Sequence, residues 1–270
     1  MNPFVRIVRA SRDGRLFSGA LKHLSRPFAA PLLRFRTGLP AVSGPALPAI
    51  VTSGAFSQPE GQALKVALDA ALTDRSKLPP SVRAIKGMSG QKYRTFINAL
   101  IEHLDDARYL EIGSWLGSTA AAAMYGNRVQ AVCIDNWSQF KGTREQFLAN
   151  MEQAQATGAL RLVEQDFRTV DYRALGSFNV YLFDGPHRER DHEDGILVVQ
   201  PCLEDRFVLI VDDWNWSAVR HGTMRGLLAA RCRIEAAVQV RTTFDDSEPD
   251  GEFGRSDWHN GYFVAVVQRS

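Results

Sequence analysis

Residues 109–120 read YLEIGSWLGSTA, and the order of residue types in this stretch decides the fold. Four residues of strand character run into Gly113, a small-residue turn reaches Gly117, and Ser118 and Thr119 open an Ala-rich helix. A strand that stops at glycine and re-enters as a helix turns bare backbone N–H groups, and the positive end of the helix dipole, toward whatever sits above the sheet edge. Such a turn suits a nucleotide-type ligand. A tight turn whose glycines serve only packing is the alternative, and the rest of the chain weighs between the two.

Downstream of this stretch, strands alternate with helices. The pattern predicts strands over 109–113, 130–135, 161–166, 179–184 and 207–212, with helices following 118, over 144–157 and over 223–230. Continuous apolar runs such as 208–211 imply burial on both faces, the mark of a parallel sheet covered by helices. Two last strands, 236–244 and 261–268, are joined without a helix and are therefore antiparallel. The expectation is an α/β fold: a Rossmann-like, doubly wound, seven-stranded sheet, mostly parallel, with an antiparallel terminal hairpin and a helical N-terminal extension. It divides into a basic arm and linker (1–58), a helical cap segment (59–106) and a cofactor-binding core (107–270).

Ligands of a doubly wound sheet bind beyond the carboxyl ends of the strands. Those ends carry acids here: Glu111 within the first strand, then Asp135, Asp166, Asp184 and the pair Asp212–Asp213. Helix N-capping explains any one of them, but the series on a single rim is harder to dismiss. Asp135 follows Gly113 at about the distance expected of an acid that meets ribose hydroxyls. A nicotinamide dinucleotide wants G-x-G-x-x-G, whereas Gly113 and Gly117 form G-x-x-x-G around the bulky Trp115. The dinucleotide reading is disfavoured and S-adenosylmethionine preferred.

With these residues in place, 80–268 resembles the class I S-adenosylmethionine-dependent methyltransferases. EIGSWLGSTA is similar to their first motif, CIDNW to the ribose-binding strand end, and EQDF at 164–167 to the position that meets the adenine. The resemblance implies a cofactor site of Glu111, Gly113, Ser114, Gly117 and Ser118 around the methionine part, Asp135, Asn136 and Trp137 at the ribose, and Asp166 with Phe167 at the adenine; Asp184 joins this set.

FDGPH (183–187) and VDDWNW (211–216) narrow it to the metal-dependent O-methyltransferases, of the catechol type and the sugar-modifying type. There, acids after strands 4 and 5 hold Mg²⁺, which places Asp184, Asp212 and Asp213 as metal ligands. Independently of the family, three converging carboxylates repel unless a hard cation neutralises them. His187 stands where the catechol type carries a basic lysine and is the candidate catalytic base; a solvated loop histidine is the alternative, and His192 is a weaker second candidate. Asp213 in place of the usual Asn and the long N-terminal extension depart from the catechol type, so the sugar type is preferred.

The expected activity is methyl transfer from S-adenosylmethionine, with Mg²⁺, to a hydroxyl of a small molecule or glycosyl group. A metal-independent methyltransferase and a non-catalytic binding protein on the same fold are the alternatives. Trp137, Trp214 and Trp216 beside strand ends, and the loop 245–260 with Phe253, Trp258 and His259, are candidates for the acceptor side. Arg220 and His221 are candidates for an acidic acceptor, and Lys92 or Arg94, after the glycine loop KGMSGQK (86–92), for a carboxylate.

Charge is unevenly spread along the 270 residues. Eight of 32 Lys/Arg and one of 30 Asp/Glu lie in residues 1–50, so the remainder carries 24 basic and 29 acidic side chains. That body gives no nucleic-acid footprint. The arm, residues 1–36, suits a solvated or subunit-contacting segment, in a possible homo-oligomer; peripheral contact with an anionic membrane is the second option and a targeting peptide the third. Three cysteines at no metal-ligand spacing read as reduced, buried thiols, which suits a cytoplasmic protein.

Overall fold

The computed structural model describes residues 6–7, 48–140, 142–156, 159–249 and 257–270. In chain order these form β1 (Arg6–Ile7), β2 (Ala49–Gly54), α1 (Pro59–Leu72), the one-turn α2 (Pro80–Arg83), α3 (Gln91–Glu102), β3 (Arg108–Ile112), α4 (Ser118–Met124), β4 (Gln130–Ile134) and α5 (Arg144–Gln153). They continue with β5 (Leu160–Val163), β6 (Phe178–Phe183), α6 (Glu189–Val198), β7 (Leu203–Val211), α7 (Ser217–Ala229), β8 (Cys232–Arg241) and β9 (Tyr262–Arg269). One sheet holds all the strands in the order β1-β2-β8-β9-β7-β6-β3-β4-β5. From β7 to β5 the pairings are parallel, and from β7 through β9 and β8 to β2 they are antiparallel.

Both faces of the sheet are covered, and β7 shows why its apolar run is unbroken. Val208 and Ile210 pack with Leu64 of α1, Phe96 of α3, Ala121 of α4 and Phe147 of α5. Leu209 and Val211 pack on the other side with Ile196 of α6 and Leu227 of α7. Every residue of α4 is buried, and its alanines let the neighbouring helices approach closely. At α5, Thr143 and Gln146 form a reciprocal capping box, which fixes where that helix starts.

The Rossmann-like doubly wound sheet and its terminal antiparallel hairpin match the expectation, with two strands added at one edge. Residues 49–54, which fall in the expected linker, form β2 and pair along their length with β8. The segment AIVTSG has strand propensity and buries Ala49 and Ile50, but the prolines and glycines around it mask so short an edge strand. Helix α7 begins six residues before the expected 223, because the Asp246 carboxylate receives hydrogen bonds from the backbone N–H of Ser217 (2.9 Å) and from its hydroxyl. That cap arrives from far along the chain, so no local signal announces it.

Apart from Arg6–Ile7, the basic arm 1–36 and the amphipathic reading of it lie outside the described residues. Among the described residues no helix is long and apolar enough to cross a membrane. All three cysteines are free and buried, as expected.

Candidate active site

The winding of the sheet reverses between β3 and β6: the chain leaves β3 toward β4 on one side, and β6 flanks it on the other. A crevice opens at such a switch point, beyond the carboxyl ends of the strands. Here a cavity of about 350 Å³ occupies it. Gly113 leaves β3 with φ +88°, and a Cβ there would stand 1.8 Å from the Asp184 carbonyl oxygen; only glycine lets the ends of β3 and β6 pass. Gly117 turns into α4 with φ +81° and faces Phe147 and Met151, away from the cavity.

On the β4 side, Asp135 clasps the glycine turn. Its two carboxylate oxygens accept the backbone N–H groups of Trp115 (2.7 Å) and Trp137 (2.6 Å), while the Trp137 indole donates to the Trp115 carbonyl (3.0 Å). Each oxygen keeps a further acceptor site for a ligand hydroxyl. Farther round, Asp166 accepts the Arg168 N–H (2.8 Å), and Phe167 packs edge-on to Phe183 beneath the Arg168 guanidinium.

The β6 and β7 ends gather acids and imidazoles. Asp184 and Asp212 hydrogen-bond to each other. Burial, reinforced by neighbouring carboxylates, pushes both above the usual range, so that at neutral pH the pair holds on to a proton. Asp213 is also buried, yet His187 and Asn260 outweigh the desolvation and hold it below the usual range. His187 Nε2 lies 2.8 Å from Asp213 Oδ2, and the Asn260 amide donates to Oδ1 at 2.8 Å. Burial alone would lower the His187 pKa, but Asp213 reverses the sign and raises it. The ring stands edge-on to Trp216, 4.9 Å between centroids.

Donor atoms of Asp184, His187 and Asp213 lie within 4.8 Å of one another, and so do those of Asp212, Asp213 and His259. Three carboxylates crowded enough that two share a proton are a fitting donor set for a divalent cation, with the imidazoles as nitrogen donors at its margin.

Of the residues singled out from sequence, Gly113, Ser114, Ser118, Asp135, Asn136, Trp137, Asp166, Phe167, Asp184, His187, Asp212 and Asp213 all line this one cavity. Two do not. Glu111 is wholly buried beneath the turn, its carboxylate taken by the Tyr109 and Thr119 hydroxyls, and burial raises its pKa; it supports the turn rather than facing a ligand. Gly117 serves the packing of α5 described above. The two-residue spacing of Tyr109 and Glu111 on one strand face was the available signal for the first.

Several acceptor-side candidates also move. Trp214 is core, stacked on Phe263 at 4.4 Å, and Trp258 is core, edge-on to Phe96. Arg220 holds the Trp214 and Asn215 carbonyls and Asp246, His221 lies beside Glu189 on the surface, and Lys92 pairs with Asp257. His192 is buried behind Phe183. Phe253 lies outside the described residues. The sequence did not single out Ser89, Gln165 or Asn260, which also line the cavity.

Residues 110–214, from β3 to just past β7, match the family model of a methyltransferase domain. The chain is similar in structure to cofactor-bound Rv0187 from MTB, at 18% identity over 79% of this chain and 92% of that one, with a TM-score of 0.50. It is likewise similar to an O-methyltransferase from Bacillus cereus in complex with SAH, at 14% identity, 77% and 91% coverage and a TM-score of 0.50. The chain spans about half the length of other solved structures it matches, such as TrmN from Thermus thermophilus (15% identity, 70% of this chain and 52% of that one, TM-score 0.47). At these identities the likeness concerns the fold alone, a Rossmann-like sheet. No curated protein matches the chain in sequence.

Proposed function

We propose that the chain transfers a methyl group from S-adenosylmethionine to a hydroxyl of a small molecule or glycosyl group, with a divalent cation, Mg²⁺ in the first instance, held by Asp184, Asp212 and Asp213. The observation that carries this reading is the meeting of those acids in the same cavity as Asp135 and Asp166. The methionine part of the donor lies along Gly113 and Ser114, its ribose at Asp135, Asn136 and Trp137, and its adenine at Asp166 and Phe167. An acceptor then approaches from the side of His187 and Trp216. When bound, the cation would lower the pKa of the acceptor hydroxyl. In the neutral ring the Nε2–H of His187 donates a hydrogen bond to the Asp213 carboxylate (2.8 Å), which leaves Nδ1 free to accept the hydroxyl proton. Most of the rate comes from holding donor and acceptor in register for in-line displacement at the sulfonium methyl.

Asp212→Asn tests the reading, because Asn reproduces the hydrogen bonding of a protonated Asp212 and spares the fold. Turnover should fall by roughly a hundredfold or more, the scale for losing one electrostatic stabiliser of a transition state. Affinity for S-adenosylhomocysteine should stay within about twofold, because that site lies across the cavity and the two act independently. Wild-type turnover in this variant would remove the metal from the mechanism. A metal-independent methyltransferase is the second reading. It is favoured by the ion pair of His187 with Asp213 and the proton shared by Asp184 and Asp212, which together neutralise the acids without a cation; activity unchanged by EDTA would select it.

A further inference from the structure

Arg94 on α3 is 2% exposed and has no carboxylate partner among the described residues. Its guanidinium is satisfied by neutral groups: Nη1 donates to the carbonyls of Arg83 (3.0 Å) and Ile85 (2.8 Å), and Nε donates to Ser89 Oγ (2.9 Å). Burial lowers its pKa to about 10, so it keeps its charge at neutral pH. A buried cation without a counter-ion is costly unless an anion arrives.

The hydrogen bonds lead from that cation to the cavity. Ser89 Oγ lies 3.0 Å from Ser118 Oγ, and both serines line the wall beside Gly113 and Ser114. Arg94 fills an acceptor site on Ser89. The two serines then own two hydroxyl protons and use one between them, so one is left to donate onward into the cavity. A chain that starts at a guanidinium and ends in a free O–H presents a donor backed by positive charge.

We propose that Arg94, acting through Ser89 and Ser118, is a positioning residue for the amino-acid carboxylate of the methyl donor. This rests on the S-adenosylmethionine reading above. The motif KGMSGQK thereby has a role: it carries Ser89 from the start of α3 to the cavity wall.

The test compares S-adenosylhomocysteine with 5′-methylthioadenosine, which keeps the nucleoside and thioether but lacks the amino-acid end. Arg94→Met should weaken S-adenosylhomocysteine about 10- to 100-fold, the range for hydrogen bonds to charged groups, and change 5′-methylthioadenosine by less than about twofold. Arg94→Met also deprives the Arg83 and Ile85 carbonyls of a donor, so Ser118→Ala, which leaves every Arg94 bond in place, is run beside it. It should show a smaller loss confined to S-adenosylhomocysteine. Equal losses for both ligands, or none for either, in the folded variants would overturn the proposal. If the wild-type chain binds 5′-methylthioadenosine as tightly as S-adenosylhomocysteine, the carboxylate subsite is wrong while the donor reading stands. Should it bind neither, the donor reading fails and the subsite with it.

Discussion

His192 shows what burial does to a single titratable group in this protein. The ring lies 4.8 Å from Phe183 between centroids, is 2% exposed, and has its Nδ1 3.5 Å from the Thr223 hydroxyl. Burial, with the charge of His187 adding to it, lowers its pKa to about 3. Above pH 6.5 it is neutral in both folded and unfolded chains and costs nothing. As pH falls from 6.5 toward 3, the unfolded chain takes up a proton that the folded chain refuses, so stability is lost through that window. At pH 5 the loss from this residue is about 2 kcal/mol, at 1.36 kcal/mol per pH unit. Urea unfolding at pH 7 and pH 5 should show the wild type losing about that much more than His192→Phe; equal losses would place the proton elsewhere. At this scale the sequence was most legible at the strand ends. Asp135, Asp184, Asp212 and Asp213 reach the cavity because apolar runs locate where each strand stops; Asp166 was expected to end its strand, but β5 stops at Val163 and Asp166 reaches the cavity from the turn that follows. Glu111 was misread because it sits one residue inside its strand, where alternation turns it under the turn. Ser89 and Asn260 carry no local pattern; tertiary packing alone brings them to the wall.

Among the elements, β2 tests how the sheet ends. Ile50 is 2% exposed and joins the cluster under α1, whereas its neighbour Val51 is only half-buried and points to the other face of the strand. Ile50→Ala should cost about 2–5 kcal/mol in urea unfolding. Val51→Ala should cost less than about 1 kcal/mol, since little apolar area leaves contact. Equal costs would mean that β2 does not hold this register against β8. Helices and central strands were readable from periodicity because each buries a long, regular face. β2 was not, being six residues long within a Pro- and Gly-rich surround, and the start of α7 was not, being set by Asp246 from across the loop.

For the molecule as a whole, the proposed donor site would link ligand to stability. S-adenosylhomocysteine at a hundred times its dissociation constant should stabilise the fold by about 2.7 kcal/mol, or roughly 5–10 °C in melting temperature. NADH should produce no shift, because the turn at Gly113 lacks the glycine spacing for a pyrophosphate. A shift with NADH alone would reverse the choice of cofactor made from that turn. The sheet also has a temporal order. Ala49 pairs with Arg241 and Gly54 with Ala236, so β2 leaves the ribosome long before the strand that receives it. The parallel strands between them can assemble first, each on a neighbour already made. Until β8 follows, β2 has only the two residues of β1 to pair with and its other edge is open, so it is the segment of the nascent chain that a chaperone has most reason to hold.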